Sequence, residues 1–309
     1  MTSAVVFAYH DVGVRCLQVL LDGGVDVRLV VTHADNPAEA IWFQSVAALA
    51  AERGLPCIAP ADPNTDEVLA QVQAAAPDLL FSFYYRLMLK APLLAVPQRG
   101  AFNMHGSLLP RYRGRAPVNW AVLHGEHETG ASLHAMHVKP DAGALVGQQA
   151  VPILGDDTAH EVFGKVTLAA EMVLARVLPA LIDGTAVLTP QDLAQGSYFG
   201  GRKPEDGRVP GGAAAGEIHN LVRAVAPPHY PGAFFDARGQ RVVIGRTLRG
   251  AAGGSPRQRF ALSAGDGTLW LDAADGGRLR VLSASIDGAR LDADTFSQRF
   301  GDSTLSADT

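Results

Sequence analysis

Cysteine is nearly absent from this sequence: Cys16 and Cys57 are the only two among 309 residues. Two thiols in apolar sequence make no disulfide framework. They read as buried free thiols, consistent with a reducing compartment. Long hydrophobic runs are missing too. No apolar stretch is long enough to span a bilayer, and no basic segment at the N-terminus leads into a signal-like run. A cytoplasmic protein is expected, without membrane insertion. A strong charge of either sign is also lacking, since 26 Lys and Arg against 31 Asp and Glu leave a net charge of −5. That balance gives no reason to expect nucleic acid or an anionic membrane surface as partner. No fixed-period repeat is visible.

A further absence comes with the first elements. Residues 4–8 are a short apolar run, 14–21 have helical spacing, Gly23-Gly24 follow, and 27–31 form another apolar run. This β-α-β opening implies a parallel sheet. Its first turn reads Tyr9-His10-Asp11-Val12-Gly13, without a G-x-G-x-x-G. The glycines that let backbone approach a pyrophosphate are missing, so a nicotinamide dinucleotide is not expected. Metal is not expected either. His124 and His127, and His134 and His137, have zinc-like spacing. The second pair stands an odd number apart on an expected strand, and no Cys or second ligand pair is in register.

What is there fits an ordinary globular chain: 48% of residues are hydrophobic, and the length suggests roughly two domains. The pattern predicts an amphipathic helix over 39–53, a short strand over 56–59, a helix over 65–76 and a buried strand over 78–85. Further on it predicts a short helix from 118, a strand hairpin over 131–138 and 144–151, and a long helix over 158–182. A first domain over 1–188 is expected, then a Gly- and Pro-rich linker over 189–210. In the second domain, 211–300, a helix over 213–226 precedes five short alternating runs that suggest a small β-barrel. The tail 301–309 is small and polar, and fraying is expected there.

The chain is organised around Asn103-Met104-His105-Gly106-Ser107-Leu108-Leu109-Pro110. An apolar run reaches Phe102, as a buried strand end would. Asn103 and His105 then share one face of an extended backbone. An amide can donate to a developing oxyanion and an imidazole can move a proton, so the pair suits acyl chemistry. A bare N-x-H is also an ordinary polar strand end. The longer string, and the Arg111-Tyr112-Arg113-Gly114-Arg115-Ala116-Pro117 that follows it, point to chemistry.

That string, with the later Asp141-Ala142-Gly143, resembles the folate-dependent formyltransferases. Segments 5–11, 32–37, 81–86 and 113–120 resemble the branch acting on UDP-4-amino-4-deoxy-L-arabinose. The resemblance runs to about residue 250. It implies a Rossmann-like parallel-sheet domain followed by a small OB-like β-barrel. It also implies formyl transfer from 10-formyltetrahydrofolate to an amine, with no metal required. Asn103 would donate to the oxyanion, His105 would handle the proton as the only catalytic imidazole, and Asp141 would orient His105 and raise its pKa. Backbone at Leu87, Met88 and Leu89 would pair with the pterin ring. Arg115 and the segment His137, Val138, Lys139, Pro140 and Asp141 would complete the folate site.

Three acceptors compete: a nucleotide-sugar amine, an aminoacyl-tRNA and a small ribonucleotide amine. The tRNA-acting members carry a basic loop after the second strand, whereas residues 32–52 here contain no Lys or Arg. From 200 to 309 stand 14 Lys and Arg and 12 Asp and Glu, no strong basic patch. The ribonucleotide-acting members usually lack a second barrel domain. A nucleotide aminosugar is therefore expected, with methionyl-tRNA as the alternative. A non-catalytic folate-binding module would have lost Asn103 or His105, and both are present. Arg202 and Lys203, near the domain crossing, could neutralise the sugar nucleotide's diphosphate or be solvated linker charges. Members of the arabinose branch continue into a decarboxylating dehydrogenase domain. This sequence ends at Thr309, and a free-standing formyltransferase, with oligomerisation possible, is expected.

Overall fold

The computed structural model describes residues 1–37, 41–250 and 254–308. The chain divides into two compact units. The first comprises 1–117, 128–152 and 163–200, and the second 118–127, 153–162 and 201–309. Two stretches that precede the expected linker, 118–127 and 153–162, thus belong to the second unit.

The first unit is built on β1 (Ser3–Ala8), all six residues of which are buried. It lies between β2 (Asp26–Val31) and β4 (Leu79–Phe83), both parallel to it. Helix α1 (His10–Asp22) covers it with Val12, Cys16, Leu17 and Leu20, the one-sided pattern expected from sequence. The short β3 (Cys57–Ile58) extends the sheet beyond β2, and β5 (Ala101–His105) extends it beyond β4, again in parallel. The parallel order then ends: β7 (Glu128–Ala135) and β8 (Leu145–Pro152) pair antiparallel, giving the order β3-β2-β1-β4-β5-β7-β8. Val5, Phe7, Leu29, Val31 and Leu80 form a core against Val68 and Val72 of α3 (Asp66–Ala74). Each fully buried side chain of this size stabilises the fold by about 1.5–3 kcal/mol. Three small elements of this unit were not evident from sequence: α4 (Ala91–Leu94), and the paired strands β6 (Arg113–Gly114) and β9 (Tyr198–Phe199). Helix α6 (Ala159–Asp183) runs within one residue of its expected bounds.

The helix expected over 39–53 is shorter. Positions 39 and 40 lie outside the described residues, and α2 (Val46–Glu52) starts only after Ser45, whose side chain accepts from the Ala48 N–H. This hydroxyl is an N-cap in the middle of the expected helix. Trp42 and Phe43 stay outside the helix and pack their rings against His10. Cys16 is buried as expected, and burial pushes its thiol pKa far up. Cys57 is exposed, a correction: β3 is an edge strand only two residues long.

The second unit contains all but the first residue of α5 (Pro117–Leu123). Its six-stranded sheet has the order β10-β11-β14-β13-β12, with β15 (Ala289–Arg290) paired to β14. These are β10 (Ala233–Ala237), β11 (Gln240–Arg249), β12 (Ala261–Gly265), β13 (Thr268–Asp272) and β14 (Arg278–Ile286), all antiparallel. Helix α7 (Ala215–Ala224) packs on this sheet, and its buried His219 donates from Nε2 to the Gly155 carbonyl at 2.9 Å. The five expected strands are present, but their path does not close and forms a half-barrel. Its edges are covered instead: Arg208 bridges β10, and Leu305 bridges Leu262 of β12. The tail is therefore not frayed, which corrects the expectation. After α8 (Ala293–Phe300), Leu305 is 1% exposed, and the Asp308 carboxylate accepts from the N–H groups of Arg238 and Gly239. Among the described residues no helix is long and apolar enough to cross a membrane.

Candidate active site

Asn103 and His105 lie on the last turn of pleat of β5. The antiparallel register with β7 sets His134 opposite Asn103 and Ser132 opposite His105. Beyond His105 the chain turns sharply. A Cβ built on Gly106 would stand 2.0 Å from the Tyr84 hydroxyl oxygen, so only glycine fits there. The turn is held on the sheet by a polar net. Ser132 Oγ donates to the Ser107 carbonyl at 2.5 Å, and Gln148 Nε2 donates to the Leu109 carbonyl at 2.9 Å. Ser107 Oγ donates to the Arg111 carbonyl at 2.7 Å. Backbone carbonyls accept in these three bonds, and the Ser132 hydroxyl itself accepts from the Leu109 N–H at 3.1 Å, so the loop's polar groups are satisfied as it turns.

Asp141 stands in the β7–β8 connection with φ of 51°. Gly143 passes so close to β7 that a Cβ there would lie 1.8 Å from the Ala135 carbonyl oxygen. Gln191 Nε2 donates to the carbonyls of Asp141 and Gly143 at 3.1 and 2.6 Å. Thus held, Asp141 Oδ1 lies 3.5 Å from His105 Nδ1 and also 3.5 Å from His134 Nε2. Its Oδ2 accepts from the Gly114 N–H at 2.9 Å. Asn103 Nδ2 approaches His134 Nε2 at 3.2 Å.

Hydrogen-bond chemistry assigns the tautomers. His105 Nε2 lies 2.8 Å from the Tyr112 carbonyl, and His134 Nδ1 lies 2.8 Å from the Ala135 carbonyl. A carbonyl only accepts, so each of these nitrogens carries hydrogen. In the neutral rings, His105 Nδ1 and His134 Nε2 are bare. His134 Nε2 then accepts one hydrogen of the Asn103 amide, whose second hydrogen points elsewhere. Both bare nitrogens face the same carboxylate oxygen with no proton between.

Burial lowers the His105 pKa and outweighs the opposing effects of Asp141 and the Tyr112 carbonyl. Asp141 does raise it, as expected, but the net direction is down: the imidazole is 6% exposed, and desolvating its cation costs more than one carboxylate at 3.5 Å returns. Burial alone would raise the Asp141 pKa. The field of His105 and His134, when a ring carries its second proton, and the Gly114 N–H overcome this and hold it at about 2.

The three expected catalytic residues are thus brought together, and His134 joins them. Sequence reading named one imidazole because His134 looked like half of a zinc pair. Its place opposite Asn103 follows only from the strand register. His137 lies beyond the end of β7, exposed. Among the described residues no group of three or more His, Cys, Asp or Glu could hold a metal ion.

The expected folate segments flank one core cluster. Leu89 is buried in it, and Tyr85 and Met136 pack on it. Leu87 and Met88 are exposed beside it, as are Val138 and Lys139; Pro140 is half-buried. The Tyr85 hydroxyl is buried without a hydrogen-bond partner, and burial pushes its pKa up to about 12. An orphaned hydroxyl on a ring stacked against His33 and packed on the core fits a flat ligand ring with polar edges. Arg115 is exposed, with its N–H donating to the Phe199 carbonyl. Arg202 belongs to the second unit, where its guanidinium lies 4.9 Å over the Trp120 ring, lining a cavity of about 1010 Å3; Lys203 is exposed.

The fold has solved counterparts. An N-formyltransferase from Helicobacter canadensis, solved with folinic acid and dTDP-3-aminofucose, is 18% identical with a TM-score of 0.69, over 91% of this chain and 99% of that one. WlaRD, a sugar 3N-formyltransferase solved with dTDP and 5-N-formyl-THF, is also 18% identical, with a TM-score of 0.70 over 91% and 97%. HypX from Aquifex aeolicus, solved with tetrahydrofolic acid, is 16% identical with a TM-score of 0.62; it matches 96% of this chain but 47% of its own. The formyl transferase family model matches residues 6–178, and the family's C-terminal domain model matches residues 202–301. With both models matched and the polar cluster seated on the strand end that the first one covers, the chain belongs to the formyl transferase family.

Proposed function

We propose that the protein transfers a formyl group from 10-formyltetrahydrofolate to the amine of a nucleotide-linked aminosugar. The observation that carries this reading is the convergence of Asn103, His105, His134 and Asp141 in a formyl transferase fold. In the reaction the amine nitrogen bonds to the formyl carbon, the bond from that carbon to the folate nitrogen breaks, and one proton passes from amine to folate. The donor supplies the formyl carbon and the nitrogen that ends with the proton. Asn103 has one amide hydrogen engaged by His134 and offers the other to the oxyanion. A proton taken up by the pair rests on His105 Nδ1, against Asp141 Oδ1, while the Tyr112 carbonyl fixes the ring. His134 sets the Asn103 amide and shares the carboxylate. The segments at Leu87–Leu89 and His137–Asp141, with Arg115, are assigned to the folate, in keeping with the orphaned hydroxyl of Tyr85, which packs on the core cluster beside them.

For the acceptor we favour UDP-4-amino-4-deoxy-L-arabinose, on the resemblance of segments 81–86 and 113–120 to that branch. Two of the structural counterparts were solved with dTDP or a dTDP-sugar, so the nucleotide is the open choice. Comparing kcat/KM for UDP-, dTDP- and GDP-linked aminosugars and for methionyl-tRNA decides it. A better dTDP- or GDP-linked substrate replaces the sugar nucleotide alone. A preference for methionyl-tRNA overturns the aminosugar reading.

A further inference from the structure

A second group of side chains stands where parallel strands of the first unit end, and the proposed chemistry does not use it. β1 and β4 are neighbours, and the residues just past their carboxyl ends, His10 and Tyr84, have φ of 68° and 57°. Left-handed backbone at non-glycine residues persists only where the surroundings enforce it, and it gathers at binding sites. The carboxyl ends of parallel strands are also where ligands of α/β sheets bind. From Tyr84 the rings run outward in contact: Tyr84 to Phe163 at 5.5 Å, Phe163 to His10 at 4.8 Å and to Trp42 at 6.0 Å, and His10 stacked on Phe43 at 3.9 Å. Tyr84 is the inner end of this chain of rings, since its hydroxyl lies against Gly106, next to His105. Trp42, two ring contacts further out, is half-buried. The exposed Arg86 holds its guanidinium 4.8 Å over Tyr9, and the Tyr9 hydroxyl donates to Asp35 at 2.8 Å.

We infer that this ledge is the acceptor's nucleotide subsite, with the base against Trp42 and His10 and the diphosphate on Arg86. The inference rests on the aminosugar reading. It follows from order along the ledge: the amine must reach Asn103 and His105, so the sugar lies by Tyr84 and the flat, distal part of the ligand by Trp42. Aromatic planes take any base face, and a guanidinium takes phosphate oxygens in pairs. The Asp35 carboxylate offers an acceptor for a ribose hydroxyl. The helix expected over 39–53 starts late for the same reason, because Trp42 and Phe43 are turned to the rings.

The test is calorimetric titration of the full chain with UDP, dTDP and GDP, alongside 5-formyltetrahydrofolate as a check of the first unit. Trp42→Ala and Arg86→Ala should each weaken the best nucleotide about tenfold or more and leave folate binding within twofold. Trp42→Phe should restore most of the affinity, and kinetically Trp42→Ala should raise KM for the aminosugar nucleotide far more than it lowers kcat. Unchanged nucleotide affinity in folded Trp42→Ala and Arg86→Ala overturns the ledge and leaves the aminosugar reading standing. If Trp42→Ala fails to bind folate, Trp42→Phe and Arg86→Ala decide. A loss confined to Arg202→Ala moves the nucleotide to the second unit and also overturns it. A wild-type chain that binds none of the three nucleotides removes the ledge and the aminosugar reading together.

Discussion

At the scale of single residues, Asp141 is the hub, with two imidazoles on one oxygen and a backbone N–H on the other. His105→Ala should lower kcat by about 10²–10⁴ while folate affinity persists, as lost proton transfer would. Asn103→Ala should cost about 10²–10³ by removing the oxyanion donor. Turnover unchanged in either variant would contradict the assigned roles. The pH dependence follows from burial. His105 has its pKa below the ordinary imidazole value, so Nδ1 stays bare to a lower pH than in a free imidazole. The acid limb of kcat/KM should then lie below about pH 6.5; a limb above that value would mean a charged resting His105. Stability has the same sign. As pH falls below about 6.5 the unfolded chain takes the His105 proton first, so this residue's contribution is complete above that pH and falls away below it. Asp141, held at about 2, adds stability that is lost as pH drops through the usual carboxylate range toward that value. Chemical denaturation at several pH values measures both.

At the scale of elements, the site is made by one antiparallel pairing. Asn103 and His105 were legible in sequence, because two residues apart on a strand is a rule of geometry. The Asp141 turn was legible as a motif. His134 was not, since nothing local says which residue of β7 faces Asn103. The direction of the His105 pKa shift was missed for a related reason: a carboxylate partner can be guessed from a motif, but burial cannot. The late start of α2 shows a cap and two packed rings overriding a helical pattern. Gly143 offers the sharpest test of this scale. Its φ does not demand glycine, but a methyl group would meet the Ala135 carbonyl, so Gly143→Ala should push the Asp141 turn away from β7. Overpacking of this kind typically costs about 1–3 kcal/mol. The expected outcome is a lower melting temperature together with reduced kcat; normal activity in a destabilised variant would show that the turn is not what places Asp141.

At the scale of the whole molecule, sequence reading gave the α/β unit, the small β unit after it and five of the six strands of the half-barrel sheet, all but the two-residue β15. It did not give the two inserted stretches of the second unit or the docked tail, which depend on contacts between residues far apart in the chain. The tail follows the same logic as any core: Leu305→Ala removes a side chain that is 1% exposed and should cost about 2–5 kcal/mol, whereas a frayed tail would tolerate the change. The central claim, that the cluster at the end of β5 formylates a nucleotide-linked aminosugar, is tested most directly by product mass. The full chain is incubated with 10-formyltetrahydrofolate carrying an isotopic label on the formyl carbon and with a panel of aminosugar nucleotides. The account predicts one labelled formyl group on the sugar amine with the wild-type chain and almost none with His105→Ala. No label on any aminosugar nucleotide, or equal labelling by the His105→Ala chain, would contradict it.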